Sequence, residues 1–224
     1  MEQYLMTQSL LSSWAYTFNA ADGYEEAAMA DFLATLRREQ KEPSEAMRNG
    51  INFENLVYEI ATGKFKAEWD PTGEIEVNSG EPIGKYLYPK GYEGASKVAE
   101  IIKGGVIQVK ASRVLETAGM NFLVYGILDA LKAGTIYDVK YLNKSMGSAE
   151  LAGKYLESAQ HPAYFYIVPE AHEFKYLVSD GKDLYIEQYP REQARPIGDI
   201  VEEFIHGIES IGLLETYRMF WRAL

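Results

Sequence analysis

Cysteine is absent from this chain of 224 residues. Its absence excludes disulfides, thiolate zinc sites, iron–sulfur clusters and cysteine nucleophiles. Histidine occurs only as His161, His172 and His206, at spacings that form no metal-binding or triad motif. Each is expected to be structural or solvent-facing. No apolar run approaches the ~20 residues of a membrane span. The opening stretch has neither the basic start nor the apolar core of a signal peptide. Together these absences lead to an expectation of a cytoplasmic protein with no membrane partner. Gly104-Gly105 and Gly91-Tyr92-Glu93-Gly94 lack the Lys-Ser/Thr ending of a phosphate loop, and no Gly-x-Ser-x-Gly elbow occurs.

Positive charge is also scarce: 22 Lys and Arg against 33 Asp and Glu give a net charge of −11. A general nucleic-acid coating protein normally carries a basic footprint. That class is disfavoured, whereas an enzyme with cations concentrated in a cleft is not. Residues 85–113 run against the trend, with Lys85, Lys90, Lys97, Lys103, Lys110 and Arg113 facing only Glu93 and Glu100. They make either a solvated helix face or a phosphate-binding surface. The composition, 47% hydrophobic and 25% charged, is that of an ordinary globular protein. This length suits one domain over 1–224, with residues 64–105 as an inserted arm. The 17 tyrosines are expected in the core and at its boundary.

Helix-forming sequence covers 22–40, around Ala27, Ala28, Phe32, Leu33 and Leu36. Pro43 opens a second helix with Ser44 and Glu45 in its first turn, and Gly63 closes it. Residues 64–91, rich in Gly, Pro and charge, read as a loop or small hairpin. A third helix spans 92–103, with Ala95, Val98, Ala99 and Ile102 on one face. Strands are expected at 106–115, 120–131 and 135–142, an antiparallel meander. Phe122, Tyr125, Tyr137 and Tyr141 in them read as sheet-packing residues. Helix follows at 148–168, broken or re-started near Pro162. A hairpin at 172–189 turns on Asp180-Gly181, and amphipathic helix runs over 198–222. The order implies an α/β (α+β) fold.

Two apolar, β-prone runs flank the turn at Ala133-Gly134, which is a hairpin signature. A two-residue loop there sets Asp129 directly across from Asp138. Alternation puts Asp138 and Lys140 on one face and Val139 on the other. Opposed carboxylates on adjacent strands repel at ~5 Å between Cβ atoms, and a hard divalent cation would turn that liability into a site. A second anomaly lies on the helix of 43–63. Ala46, Gly50, Phe53, Val57, Ile60 and Ala61 cluster on one side, widened by Met47, Ile51 and Tyr58, with Arg48, Asn52, Asn55 and Glu59 opposite. Glu54 falls inside the apolar arc. It needs a cation, hydrogen bonds or a raised pKa. It is either an edge residue paired with solvent or Lys, or a third ligand for the same metal.

The ordered set Glu54, Gly-x-x-Asp129, Asp138-x-Lys140 resembles the PD-(D/E)XK nuclease superfamily. Gln160 and Tyr164, within Ser158-Ala159-Gln160-His161-Pro162-Ala163-Tyr164, resemble the Gln-x-x-x-Tyr motif of its RecB-like exonuclease branch. The likeness spans about residues 50–166, and Ser9–Phe18 is similar to the family's N-terminal helix. Leu128 replaces the proline of the family's name. The resemblance implies a restriction-endonuclease-like mixed sheet flanked by helices, with the site at the hairpin. It implies that Asp129 and Asp138 bind magnesium or manganese, with the Val139 carbonyl and Glu54 completing the ligands. Lys140 would hold the attacking water and stabilise phosphate charge; Gln160 and Tyr164 would meet substrate or brace the site. DNA is the implied substrate, with phage-type recombination or repair, and a recombination partner protein, as the setting. Rival expectations are a non-catalytic nucleic-acid adaptor of the same fold and a site-specific endonuclease. From the residues themselves, Lys140 also reads as an ion-pair partner of either Asp, Gln160 as a helix cap and Tyr164 as a core aromatic.

Overall fold

The computed structural model describes residues 2–70, 85–144 and 151–223. Strands β1 (Gln3–Thr7), β4 (Val106–Thr117), β5 (Met120–Lys132), β6 (Thr135–Tyr141), β7 (Glu173–Ser179) and β8 (Leu184–Pro190) form one mixed sheet. A separate antiparallel pair joins β2 (Glu68–Asp70) to β3 (Lys85–Leu87), the small hairpin expected in 64–91. Its connection, 71–84, lies outside the described residues, as does 145–150, where the helix of 148–168 was expected to begin. Among the described residues seven α-helices flank the sheet: α1 (Gln8–Asn19), α2 (Glu25–Leu36), α3 (Glu45–Ala61), α4 (Tyr92–Ile102), α5 (Gln160–Ile167), α6 (Ile197–Ser210) and α7 (Leu214–Phe220). None of them is long and apolar enough to cross a membrane.

The expected α/β architecture is therefore what the chain adopts, and alternation along the strands builds its two cores. On β7, Phe174, Tyr176 and Val178 join the larger cluster, which gathers α1, α2, α5, α6 and α7. Leu177 between them joins the smaller cluster, with Val139 of β6 and the apolar faces of α3 and α4. Period-two side-chain direction thus lets one sheet bury both faces. The meander comes out close to its expected bounds. Both of its turns, Ala118-Gly119 and Ala133-Gly134, have positive φ at two successive residues, the type I′ geometry that matches strand twist.

Four expectations need correction. Ser44 lies outside the first turn of α3: it is the N-cap, its hydroxyl accepting from the Met47 N–H. Residues 152–157 are turns rather than the helix expected there, and helix re-starts at Gln160, as expected near Pro162. That proline sits in the first turn of α5, where its missing N–H is harmless. The helix of 198–222 is two helices, α6 and α7, separated at Gly212 with φ 75°. Strand β1 was unforeseen. It pairs parallel with Asn121–Tyr125, and its backbone is also bonded by the C-terminal segment, with Leu5 N–H donating to Trp221 O (2.6 Å) and Ala223 N–H to Gln3 O (2.8 Å).

Candidate active site

One edge of β5 is paired with β4 along nearly its whole length. The other edge is shared. β1 takes residues 121–125 running parallel, and β6 takes 130–132 running antiparallel. Among the described residues, Gly126, Ile127, Leu128 and Asp129 are left between them with no strand partner on that side. The notch is filled from α5. The Tyr164 ring lies over Gly126, where a Cβ would stand 2.4 Å from Cε1, and the Tyr164 hydroxyl donates to the Ile127 carbonyl at 2.9 Å. The Gly-x-x-Asp spacing thus has a packing reason, because only glycine admits the aromatic ring at that point.

The hairpin closing the other side has the expected register: Lys132 opposite Thr135, Leu131 opposite Ile136, Ala130 opposite Tyr137. Asp129 and Asp138 would be the next pair, but the ladder stops before them. The strands separate, and the Val139 N–H donates to Asp129 Oδ2 at 2.7 Å instead of to a β5 carbonyl. Two carboxylates held face to face would repel; a side-chain acceptor in place of the ladder lets them part without orphaning the buried N–H. Val139 itself points into the core beneath α3 and α4, so it and Asp138 take opposite faces as expected.

Asp138 is almost fully buried. Its Oδ1 accepts a short hydrogen bond from the Gln160 side-chain amide on α5. Lys140 Nζ lies 2.7 Å from Oδ2, yet that oxygen has no donor in hydrogen-bonding alignment. Burial opposes the charge on Lys140, but Asp138 and then Asp129 beside it outweigh that cost and raise its pKa. Lys140 is therefore held as a cation. Asp129 is pushed the other way from a usual carboxylate: burial first, then the charge of Asp138, raise it to about 7, against the Val139 N–H.

Glu54 reaches the cluster from α3. It is half-buried, and its pKa is raised by burial, with Lys140 lowering and Asp138 raising it. The apolar arc around it is narrower than expected: Phe53, Leu56 and Val57 are buried, while Met47 and Ile51 are 60% and 48% exposed. Glu54 therefore stands at the margin of the buried face, next to the acids of β5 and β6. Direct contacts unite Asp129, Val139, Asp138, Lys140 and Gln160, with Tyr164 bonded beside them to β5; Glu54 joins through charge alone.

Two residues escaped the sequence. Tyr58, one turn beyond Glu54, was counted as an apolar flank, but its hydroxyl lies among the acids: burial first, then the charge of Asp129 and of Glu54, raise its pKa. Gln108 falls opposite Asp129 on β4, between the pairs Ile107–Ala130 and Val109–Leu128. It has φ 56°, a left-handed conformation that costs on the order of 1 kcal/mol or more in a non-glycine residue. Its amide donates to the Tyr58 hydroxyl at 2.9 Å. A tyrosine at helix spacing would have flagged only packing, and no pattern marks a lone glutamine.

The remaining expectations resolve simply. His161 stacks on Tyr189, ring centroids 4.4 Å apart, and Tyr141 stacks on Phe53 at 4.8 Å. In the basic stretch, Lys97 pairs with Glu93, Lys103 with Glu100, and Arg113 donates to the Tyr166 carbonyl. Those three cations are engaged with the protein's own surface.

The donors present are of the type a hard divalent ion takes, carboxylate oxygens with no sulfur among them. Among the described residues, however, no three acidic or histidine side chains are gathered as a metal-ligating group. Asp138 is engaged by Gln160 and Lys140, and Asp129 by Val139, so the acids approach without converging on one point.

No protein-family model matches the chain, and no curated protein matches it. Among solved structures it is similar to the crystal structure of SSO0001, at 12% identity over 92% of this chain and 77% of that one, with a TM-score of 0.47. It is also similar to LHK-Exo in complex with dAMP, at 12% identity over 96% of this chain and 94% of that one, with a TM-score of 0.33. At those values neither likeness establishes a shared fold.

Proposed function

We propose that the chain is a divalent-metal-dependent nuclease that hydrolyses DNA phosphodiester bonds, acting as an exonuclease. One observation carries this reading. Residues scattered from Glu54 to Tyr164 in the sequence, on α3, β5, β6 and α5, meet at a single notch where two strands part. Asp129 and Asp138, with Glu54 and the Val139 carbonyl, would hold magnesium or manganese. A bound ion of that kind lowers the pKa of its water and offsets charge on a phosphoryl oxygen. Lys140, kept cationic by Asp138, would present positive charge to the scissile phosphate. Gln160 fixes the Asp138 carboxylate through Oδ1, and Tyr164 braces the notch by packing over Gly126 and bonding the Ile127 carbonyl.

End-labelled single- and double-stranded DNA incubated with magnesium, manganese or EDTA is the direct test. Degradation is expected with either metal and none with EDTA. Asp129→Asn and Asp138→Asn should abolish it, and Lys140→Ala should lower it about 100-fold. Full activity in any of the three, purified and folded, would remove that residue from the mechanism. Closed circular DNA should survive; its cleavage would point to an endonuclease. A non-catalytic adaptor is the second reading, favoured by the engagement of both Asp138 oxygens with Lys140 and Gln160. Such a protein would retain DNA at every manganese concentration without shortening it.

A further inference from the structure

On the side of α3 facing away from Glu54 lies a cavity of about 440 Å³, within the range of small-ligand pockets. Two of the rings lining it, Phe53 and Tyr141, stack with centroids 4.8 Å apart. Phe65 lines it too, packed on Tyr92 at 5.1 Å, and Tyr88, 52% exposed, stacks on Tyr92 at 4.3 Å. Asn52 and Asn55 reach the cavity from α3; both are exposed, and their amides bond nothing among the described residues. Lys90 also lines it, and Lys64 and Lys66 flank Phe65 in the chain. Among the described residues none of these three lysines is in an ion pair. Against them the lining holds one acid, Glu59. In a chain of net charge −11 that local excess of cations runs against the whole.

We infer that this cavity holds an unpaired stretch of DNA strand, continuous with the stretch at the notch. This rests on the function proposed above and adds the form of its substrate. Bases offer their faces to aromatic rings only when unpaired, and such stacking tolerates any base. Each carboxamide carries a donor and an acceptor, which matches the mixed polar edge of a base. The lysines supply charge for the phosphates. Tyr141 directly follows Lys140 on β6, and Phe53 directly precedes Glu54 on α3, so cavity and notch stand back to back. A helix is ~10–12 Å across, about three nucleotides of a stacked strand at ~3.4 Å each.

The test is fluorescence anisotropy of a labelled oligothymidine of about 12 nucleotides, within the usual size of strand sites. The whole protein is titrated into it in EDTA, so that binding is read without hydrolysis, with thermal melts as a control for folding. Lys90→Ala should weaken binding and lower the slope of log affinity against log salt by about 0.7, one phosphate contact on a single strand. Tyr141→Leu, and Asn52→Ala combined with Asn55→Ala, should each weaken binding about 10-fold and leave that slope unchanged. In degradation with magnesium, Lys90→Ala and the double Asn variant should raise KM for the oligothymidine. Their rate on a dinucleotide, too short to reach across α3, should equal the parent's. Parental affinity and slope in Lys90→Ala and the double Asn variant, or no binding by the unmodified protein, would overturn this inference and leave the nuclease reading standing. Binding that weakens as expected in a protein that degrades no DNA would do the reverse. An equal loss of affinity for a duplex of the same length would put paired DNA in the cavity and overturn the inference as well.

Discussion

A Cβ on Gly126 would stand 2.4 Å from Cε1 of Tyr164 and 3.2 Å from two further ring atoms, in a core where both residues are buried. The ring cannot retreat without giving up its hydrogen bond to the Ile127 carbonyl. Gly126→Ala should therefore destabilise the protein by about 1–3 kcal/mol, the usual cost of overpacking. Tyr164→Phe, which keeps the ring and deletes the hydroxyl, should cost about 1 kcal/mol. Urea unfolding of the two variants checks the ranking. A Gly126→Ala protein as stable as the parent would mean that the ring does not lie against the strand. The comparison separates shape from polarity at a site whose charged residues draw the eye first.

Helix α3 delivers Glu54 and Tyr58 to the notch, and its start is set by the Ser44 hydroxyl accepting from Met47 N–H. Ser44→Ala should cost about 1 kcal/mol and fray the first turn. A chemical-denaturation midpoint unchanged from the parent would show the cap to be idle. This helix, α4 and the three strands of the meander were legible in the sequence because each carries its own period and its own stop signal: Ser44 or Gly63, Gly104-Gly105, Gly119, Gly134. The acid pair was legible for the same reason, since a two-residue turn at Ala133-Gly134 dictates the register by itself. What failed to show was everything decided between distant segments. Strand β1 has five residues and a weak pattern, and it exists because the unpaired edge of β5 and the C-terminal segment bond it. The parting of the strands at Asp129 depends on where β1 and β6 divide that edge, which no local pattern encodes. Gln108 belongs to the same class, a residue given meaning only by the register of β4 on β5.

The two cores differ in what they bury, and the pH dependence of the entire fold should show it. His161 lies in the larger core against Tyr189 and Tyr176, and burial lowers its pKa to about 4 from an ordinary 6.5. Between pH 6.5 and 4 the unfolded chain binds a proton that the folded chain refuses, so this residue makes stability fall as pH drops through that window. Asp129 has the opposite sign. With a folded pKa of about 7 against 3.8, it is protonated in the folded state first, so its stabilisation is complete below pH 3.8 and is lost as pH rises through 7. Each group changes stability by at most about 1.4 kcal/mol per pH unit, and over the shared window the two oppose one another. Removing either should uncover the other. In EDTA, Asp129→Asn should lose melting temperature more steeply than the parent on acidification from pH 6.5 to 4.5. His161→Phe, with its ring stacked on Tyr189, should lose less or gain. Parallel melting curves for all three proteins would mean that neither group titrates differently on folding. Divergence of the curves would locate a neutral imidazole in one core and a proton-hungry carboxylate at the notch, on the same molecule.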